Sequence, residues 1–426
     1  MTGSRARARI GRGSVTWRHQ VGRAVALGAA CPALVLGAAG LPAAGAAGLP
    51  RAVLATPAAA VSNVLDGGSC TARRACEAVG THGSVSLAEG WDNSPASVQA
   101  TPVPPGKTEA ALEGVSCTSP AACTAVGYAA GPSASLAEAW NGVTWTIQAT
   151  PSVPGATGSA LAGVSCASPA ACVAVGDYDQ GSVILPLAEV WNGSAWTAQA
   201  PPYPAGGSSA RLTAVSCVSA ARCVAAGTYV TGGVIAPLAE VWNGTTWTYQ
   251  APPSPGADGS VLTGVSCVSA TVCVAVGWDD NGGPHLALAE TWNGTTWTVR
   301  NAPSVTMATT ELLGVSCTSA STCMAVGYSE VAGPVVSTLA EAWNGTAWKI
   351  VAPQNRAGAS WSSLAAVSCT KAAACTAVGH SYASGTNSTL AEVWNGTTWK
   401  FREIRNPSVG GRPQPATARR APVLSW

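Results

Sequence analysis

The chain has 426 residues, of which 10% are charged, and its formal net charge is +2. That length allows two or three ordinary domains or one large repetitive domain. Much of the basic excess lies in the terminal segments, so the central sequence offers no basic surface for nucleic acid. The chain contains 17 Trp but one Phe, which indicates an aromatic residue that recurs within a motif.

The N-terminal segment is typical of an export signal. Arginines recur up to Arg23, and an uncharged apolar run and then small residues follow. We therefore predict a signal peptide over residues 1–46 and a secreted or cell-surface protein, with an uncleaved anchor or a lipid anchor on Cys31 as alternatives. No membrane span is expected in the mature chain. Residues 47–61 are predicted to form an N-terminal segment that contains a candidate closing strand.

One sequence unit recurs seven times. Its consensus is L-x-G-V-S-C-x5-C-x-A-V-G, then a variable stretch, then L-A-E-x-W-N-G-x-x-W-T and a Pro/Gly-rich link. A period of about fifty residues is typical of solenoids, propellers and arrays, whose units need neighbours to bury their hydrophobic faces. The predicted units span residues 62–110, 111–160, 161–210, 211–260, 261–311, 312–362 and 363–405, and a flexible tail is predicted over residues 406–426.

Each unit is predicted to contain four strands. In the fifth unit, β-branched runs at residues 262–267 and 273–277 predict one hairpin, and runs at residues 288–292 and 295–299 predict a second. The Asn-Gly dipeptide inside the second hairpin favours a type I′ turn. Because no helical pattern appears, we predict an all-β chain folded as a seven-bladed β-propeller with four antiparallel strands per blade.

Every unit carries a Cys-x5-Cys pair. This spacing spans the first hairpin, and zinc sites favour shorter spacings with His nearby, so we predict one structural disulfide in each blade of an exported chain. In the chain-entropy model each short loop contributes about 2–3 kcal/mol. The predicted pairs are Cys70–Cys76, Cys117–Cys123, Cys166–Cys172, Cys217–Cys223, Cys267–Cys273, Cys317–Cys323 and Cys369–Cys375.

Some hairpins resemble the second half of the Asp-box of sialidase-type propellers, whose pattern is S-x-D-x-G-x-T-W. The matching segments are residues 142–145, 244–247 and 294–297. Trp140, Trp242 and Trp292 stand where that pattern has Asp. With its V-S-C, C-x-A-V-G and W-N-G-T-T-W landmarks, the whole unit is similar to repeats in exported bacterial propeller-like proteins of unassigned function. This resemblance implies the fold and no activity.

Seven glutamates share one position of the repeat: Glu89, Glu138, Glu189, Glu240, Glu290, Glu341 and Glu392. An active site breaks symmetry, whereas a residue found in every blade serves the blade, so we expect a structural role. Glu290 is expected to face Trp297 across the hairpin and to accept an indole or backbone N–H. The Trp pairs, such as Trp191 with Trp196, are expected to pack between blades.

The variable loops after the A-V-G strand carry one ring-bearing residue per blade. In the first blade this residue is His82. In the other six blades it is aromatic, and we predict that these six residues line a binding face: Tyr128, Tyr178, Tyr229, Trp278, Tyr328 and Tyr382. Aromatic faces suit stacking on sugars or peptides, with nearby carboxylates accepting hydrogen bonds. The alternative is that the rings only cover the ends of the blades.

Two of these loops contain side-chain oxygen ligands two residues apart, a spacing that is common in calcium sites. The pairs are Asp177 with Asp179 and Asp279 with Asn281. Neither loop has the third ligand or the distal Glu of a complete calcium loop. Turn chemistry is therefore the favoured explanation, so we expect no cofactor, with calcium as the alternative.

The sequence favours a non-catalytic extracellular propeller, a monomer that binds a glycan or a protein or serves as a scaffold. No Ser-centred elbow or Gly-rich phosphate loop occurs, and the few arginines share no position that a sialidase would require. One alternative is a polysaccharide hydrolase or lyase that uses Asp177, Asp179 or Asp280 as acid or base. Another is a structural protein of the cell envelope.

Overall fold

The computed structural model describes residues 61–92, 96–130, 133–331, 333 and 335–402. The predicted signal peptide, the candidate closing strand and the predicted C-terminal tail lie outside these residues. Within the described part, no helix has the length and apolar character needed to cross a bilayer.

The described residues form β-strands throughout, in seven units of four. Units one to four contain β1 (Asn63–Ala72), β2 (Ala75–His82), β3 (Val85–Asp92), β4 (Ser97–Gln99); β5 (Ala110–Ser119), β6 (Ala122–Ala129), β7 (Ala134–Trp140), β8 (Trp145–Gln148); β9 (Gly158–Ser168), β10 (Ala171–Gln180), β11 (Val183–Trp191), β12 (Trp196–Gln199); and β13 (Gly207–Ser219), β14 (Arg222–Thr231), β15 (Val234–Trp242), β16 (Trp247–Gln250). Units five to seven contain β17 (Gly259–Ser269), β18 (Val272–Asp280), β19 (Leu286–Trp292), β20 (Trp297–Asn301); β21 (Ala308–Ser319), β22 (Thr322–Val331), β23 (Val336–Trp343), β24 (Trp348–Ile350); and β25 (Trp361–Lys371), β26 (Ala374–Ala383), β27 (Thr386–Trp394), β28 (Trp399–Phe401).

The four strands of each unit are antiparallel and lie in sequence order. The predicted all-β architecture of four-stranded units is therefore confirmed. Each unit has two ends, which we name by what they carry. The disulfide end carries the Cys-x5-Cys turn and the Asn-Gly turn, and the loop end carries the connection from second to third strand and the link to the next unit.

A bulge in the first strand explains the glycine of the A-V-G motif. In unit five the register shifts between Leu262 and Gly264, and Gly277 of β18 lies opposite Leu262. A Cβ on Gly277 would approach the carbonyl oxygen of Val261 to 1.9 Å, far inside van der Waals contact. Only glycine fits where the two backbones come this close.

All seven predicted disulfides are present. In each unit the two cysteines lie directly opposite each other in the pairing of the first and second strands, with Cα atoms 3.9–4.0 Å apart. Each disulfide therefore joins the two strands of the first hairpin beside its turn, as the spacing predicted.

The serine of each V-S-C motif connects neighbouring units. Its hydroxyl accepts a hydrogen bond of 2.9–3.0 Å from the backbone N–H of the first cysteine in the next unit. The same bond joins unit seven to unit one, because Ser368 Oγ accepts from Cys70 N at 3.0 Å. The first strands of all seven units are thus linked in one series that returns to its start.

The hydrophobic core lies between the units. In one cluster the second Trp of unit four, Trp247, packs with Val173 and Val175 of unit three. In another, Leu65 of unit one packs with Val378 and Ala391 of unit seven. Each unit therefore buries its apolar face against the unit beside it, and unit one does so against unit seven.

The Asn-Gly turn differs from the predicted type I′ turn. β19 ends at Trp292 and β20 begins at Trp297, so the connection has four residues, and Trp292 pairs with Trp297. Only the glycine has positive φ, 99° at Gly294, whereas a type I′ turn needs positive φ at both residues. Asn293 instead accepts the backbone N–H groups of Thr295 and Thr296 through Oδ1, each at 2.9 Å.

The seven repeated glutamates are completely buried, with 0% of their surface exposed. Burial raises the pKa of Glu189 and Glu392 to about 7, of Glu89, Glu138, Glu290 and Glu341 to about 8, and of Glu240 to about 9.

The predicted register of these glutamates is wrong, because Glu290 lies opposite Val299 rather than Trp297. The expected hydrogen bond from an indole or backbone N–H is also wrong, since neither carboxyl oxygen of Glu290 has a hydrogen-bond partner among the described residues. Glu189 accepts a hydrogen bond from Ser135 Oγ of the preceding unit, and Glu392 accepts one from Gln354 N of its own preceding unit, both at 2.9 Å.

Unit one departs from the others at its disulfide end. Ala96 stands where units two to seven have their second Trp, so Trp91 has no ring partner in its hairpin. The guanidinium of Arg402, the residue after β28 of unit seven, lies over the Trp91 ring at 5.2 Å from the centroid. A cation–π contact therefore takes the place of a Trp pair at the junction of units seven and one.

Candidate functional site

The six predicted binding rings divide between the two faces of the units. Tyr128, Trp278 and Tyr328 follow the A-V-G glycine directly, whereas Tyr178 and Tyr229 are the second residue after it. Because successive strand residues point to opposite faces, the two sets face opposite neighbours. Tyr382 is the third residue after its glycine and lies opposite Trp361. All six are half-buried.

The second set packs toward the preceding unit. Tyr229 meets Tyr249 of its own unit edge to face at 6.4 Å, within the cluster shared with unit three. Tyr178 belongs to the cluster between units two and three. These two rings therefore contribute to packing between units.

The first set includes a connected group across units five to seven, which we call the ring–acid cluster: Trp278, His285, Glu311, Tyr328 and Trp361. The His285 ring is stacked on Trp278 at 4.0 Å, and its Nδ1 lies 2.7 Å from Glu311 Oε1 of unit six. Glu311 lies opposite Tyr328 in the pairing of β21 and β22. Tyr328 in turn meets Trp361 of unit seven, with centroids 5.5 Å apart.

Backbone bonds between units hold this cluster in place. Thr310 N donates to His285 O at 2.8 Å, which fixes the start of unit six against unit five. Val336 N donates to Ser360 O at 3.0 Å, and Val336 pairs with Trp361 in parallel register. The side chains on either side of each junction are therefore positioned by main-chain contacts.

The carboxylates of this region act on their neighbours. Burial raises the pKa of Tyr328, and the charge of Glu311 and a hydrogen bond with it add to the shift. Burial also raises the pKa of Asp279, which lies beside Asp280 and within electrostatic range of His285. Negative charge is thus concentrated next to the rings.

Exposed apolar side chains flank the ring–acid cluster. Leu286 is 40% exposed, Met307 83%, Val331 51% and Val335 50%, all at the loop end of units five and six. Met307 also has a φ of 57°, a left-handed conformation that costs a non-glycine residue roughly 1–2 kcal/mol. An apolar residue that is both strained and exposed has no packing role, which marks this loop as a candidate contact surface.

The two ends of the units carry opposite charge. At the loop end the acids are Glu109, Asp177, Asp179, Asp258, Asp279, Asp280, Glu311 and Glu330, and the bases are Lys107, Arg211 and Arg356. At the disulfide end the bases are Arg73, Arg74, Arg222, Arg300, Lys349, Lys371, Lys400 and Arg402, and the acids are Glu77 and Asp92. Within residues 61–402 the loop end is therefore acidic and the disulfide end basic. The expectation that the central sequence offers no basic surface was wrong, because a net charge near zero hides charges that are separated in space.

The calcium candidates lie at the loop end. Asn281 donates through Nδ2 to Asp279 Oδ2 at 3.3 Å and accepts from Ala257 N at 3.0 Å, so its amide takes part in the turn. Asp177 and Asp179 lie on one face of β10. Among the described residues, no group of three or more His, Cys, Asp or Glu side chains could hold a metal ion. Calcium binding stays a prediction.

Sequence reasoning missed a carboxyl pair on the first strands of units one and two. Asp66 and Glu113 occupy the bulge position, between the Leu and the Gly of L-x-G. Burial raises the pKa of Asp66 well above its usual range, and the charge of Glu113 raises it further. Thr213 and Thr263 hold the same position in units four and five, where each hydroxyl donates to a carbonyl of the next unit. The non-repeating acids at this position were the signal in the sequence.

No protein-family model matches this chain, and no curated protein matches it. Solved structures with a similar fold are β-propellers. YCF48 bound to D1 peptide shares 15% identity over 70% of this chain and 82% of that chain, with a TM-score of 0.42. YCF48 from Cyanidioschyzon merolae shares 14% identity over 80% and 96%, with a TM-score of 0.44.

A six-bladed fucose-binding lectin from Aleuria aurantia shares 13% identity over 70% of this chain and 97% of that chain, with a TM-score of 0.44. At these identities the likeness concerns the fold alone.

Proposed function

We propose that this protein is a non-catalytic, extracytoplasmic binding propeller that holds a protein partner at the loop end of units five to seven. The observation that carries the proposal is the apolar set Leu286, Met307, Val331 and Val335 around the ring–acid cluster. Exposed apolar patches beside half-buried rings are typical of protein contact surfaces.

The scaffold supports a closed ring of seven blades. The bond from Cys70 N to Ser368 Oγ repeats the bond found between consecutive units, and Leu65 packs with Val378 as neighbouring units do. A closed ring gives a rigid platform, so loop-end side chains keep fixed positions when a partner binds.

The seven disulfides support a location outside the cytoplasm. Local disulfides in every unit persist in oxidising compartments and are rare where thiols are kept reduced. A secreted or cell-surface protein meets that condition.

The apolar set favours a protein over a glycan as the bound molecule. Sugar sites pair a flat ring with several hydrogen-bonding groups, whereas Met307 and the two valines near it offer only dispersion contacts. Methionine also adapts its shape to a protein surface. A glycan that stacks on Tyr128, Tyr178, Tyr229, Trp278, Tyr328 or Tyr382 is the competing ligand class.

Site-specific photo-crosslinking in the producing cells tests the proposal. A photoreactive phenylalanine analogue at position 307 is expected to give a discrete protein adduct. The same analogue at position 143, where Val143 is 71% exposed in the Asn-Gly turn of unit two, is the matched control and is expected to give none. Equal adducts from both positions, or none from position 307, would contradict the proposal, and a hit on a glycan array that is lost in Tyr328→Ala would replace it.

A second candidate function rests on Asp66 and Glu113. The pKa of Asp66 is raised by burial and by the charge of Glu113. Two carboxyl groups with different pKa values could act as the general acid and the general base in cleavage of a polysaccharide. Release of new sugar ends from a polysaccharide panel, abolished in both Asp66→Asn and Glu113→Gln, would establish it. Unchanged release in these variants, or no release by the parent chain, would exclude it.

A further inference from the structure

We propose that the partner segment held at the loop end is a basic peptide, with Lys or Arg side chains next to apolar ones. The inference rests on the proposed function and names its ligand class. The anchor for the cation is the ring–acid cluster, and the anchors for the apolar residues are Leu286, Met307, Val331 and Val335.

The first argument is the charge of the whole surface. The loop end carries eight acids and three bases within residues 61–402, and the disulfide end carries the reverse excess. A surface of one sign raises the local concentration of a ligand of the opposite sign and repels ligands of its own sign. An acidic polysaccharide or an acidic peptide would therefore be repelled from this end.

The second argument is the local pairing of rings with carboxylates. Cations are attracted to the faces of Trp and Tyr, and Tyr328 and Trp361 form one tilted pair. Glu311 lies opposite Tyr328 and is held by His285 at 2.7 Å, and Glu330 follows on the same strand with an exposed side chain. An ammonium or guanidinium group above Tyr328 would thus meet both a ring and a carboxylate.

The third argument is the position of the apolar residues. Leu286 is the first residue of β19, and Met307 comes directly before β21. Val331 is the last residue of β22, and Val335 comes directly before β23. They lie around the acidic group rather than within it. A peptide that alternates basic and apolar residues matches this arrangement, whereas a purely polycationic chain would leave the apolar side chains in water.

A random dodecapeptide library panned on the full chain tests the inference. The recovered peptides are expected to contain Lys or Arg beside Leu, Val, Ile or Phe. Each is expected to bind about tenfold more tightly than the same peptide with Gln at its basic positions. That ratio is expected to vanish in a Glu311→Gln, Glu330→Gln variant, whose charge differs by about +2 from that of the parent chain. It should survive in Asp92→Lys, which makes a matched charge change at the disulfide end.

The outcomes separate the two proposals. If the recovered peptides lack basic residues, or if the ratio persists in the loop-end variant, the inference is overturned. If either of these results is obtained but position 307 still gives a protein adduct, the proposed function is retained. If the library yields no binder and position 307 yields no adduct, both proposals fall.

Discussion

The two ends of the seven units contrast in how their residues are used. At the disulfide end the same side chains recur: paired cysteines in every unit and, in units two to seven, an Asn-Gly turn and a Trp pair with ring centroids 5.4–5.6 Å apart. At the loop end the connections vary between units, and the exposed apolar set Leu286, Met307, Val331 and Val335 lies on units five and six, together with several of the acids. Repetition therefore marks the scaffold, and its absence marks the candidate site.

The contrast has a physical cause. The disulfide end is closed by short turns whose geometry admits few sequences, and a change there disturbs a contact that every unit makes. The loop end consists of connections that tolerate variation in length and residue type without loss of the strand pairing. Binding specificity can therefore change at one end while the fold is kept at the other.

The largest expected effect concerns the seven buried glutamates of the scaffold. Their pKa is raised from 4.5 to about 7–9, so between these values the folded chain holds protons that the unfolded chain has released. The stabilising contribution of these groups is then fully present below pH 4.5 and is lost as the pH rises through the raised pKa values. Urea unfolding at pH 5, 7 and 9 is expected to show a progressive loss of several kcal/mol.

A buried histidine has the opposite pH dependence, and a Glu→Gln variant measures the contribution of a single glutamate. Burial lowers the pKa of His380 to about 4, so that residue alone favours unfolding as the pH falls from 6.5. Glu290→Gln removes a single glutamate without changing its shape, and is expected to flatten the slope between pH 5 and pH 8. A free energy of unfolding of the parent chain that rises between pH 5 and pH 8 would contradict the raised pKa values of the glutamates.

The next effect tests whether the disulfide end acts only as scaffold. Replacing Cys267 and Cys273 together with Ala is expected to lower the free energy of unfolding by about 2–3 kcal/mol, because the unfolded chain regains the freedom of the closed loop. Peptide binding at the loop end is expected to be unchanged under native conditions, measured by fluorescence anisotropy. A loss of binding in the folded variant would show that the two ends are coupled.

The serine series gives a smaller effect and tests ring closure. Ser216→Ala leaves the backbone N–H of Cys267 without its acceptor, at an expected cost of about 1 kcal/mol. Ser368→Ala removes the equivalent bond to Cys70 and is expected to cost the same. Thermal unfolding of the two variants compares them directly. If Ser368→Ala alone has no effect, units seven and one do not close the ring as other neighbours do.

The smallest stability effect is expected at the loop end. In Met307→Gly the relief of the left-handed conformation offsets the added freedom of the unfolded chain, so stability should change by less than about 1 kcal/mol. Loss of the side chain should nevertheless weaken loop-end peptide binding by roughly fivefold. Met324→Val, a change in the buried core to the residue found at that position in units three to five, is the control and should leave binding unchanged. Unaltered binding in Met307→Gly would remove this residue from the site.

Much of the fold followed from the repeat. The period, the Cys-x5-Cys spacing and the alternating apolar runs predicted four-stranded units with local disulfides, and these predictions were confirmed. The turn type was wrong because the Asn293 side chain, rather than a positive φ at that residue, organises the loop. The register of Glu290 was wrong for the same reason, since a four-residue connection pairs Trp292 with Trp297.

The candidate site was less accessible to sequence reasoning. Trp278 and Tyr328 were selected, but His285 and Glu311 lie outside the strands that carry these rings, Trp361 belongs to unit seven, and no local pattern connects them. The predicted single rim of six rings treated residues at different distances from the A-V-G glycine as equivalent. A strand reverses the direction of its side chains at every residue, so Tyr178 and Tyr328 face opposite neighbours.

The sequence by itself determined the composition of each unit, because local spacing sets strand length, disulfide pairing and the need for glycine at Gly277. Only the tertiary structure decided which units meet and what collects at each end. The serine series from Cys70 to Ser368, the Asp66–Glu113 pair and the acidic loop end all join residues from different units. Such contacts depend on the packing of neighbouring units rather than on the repeat within one.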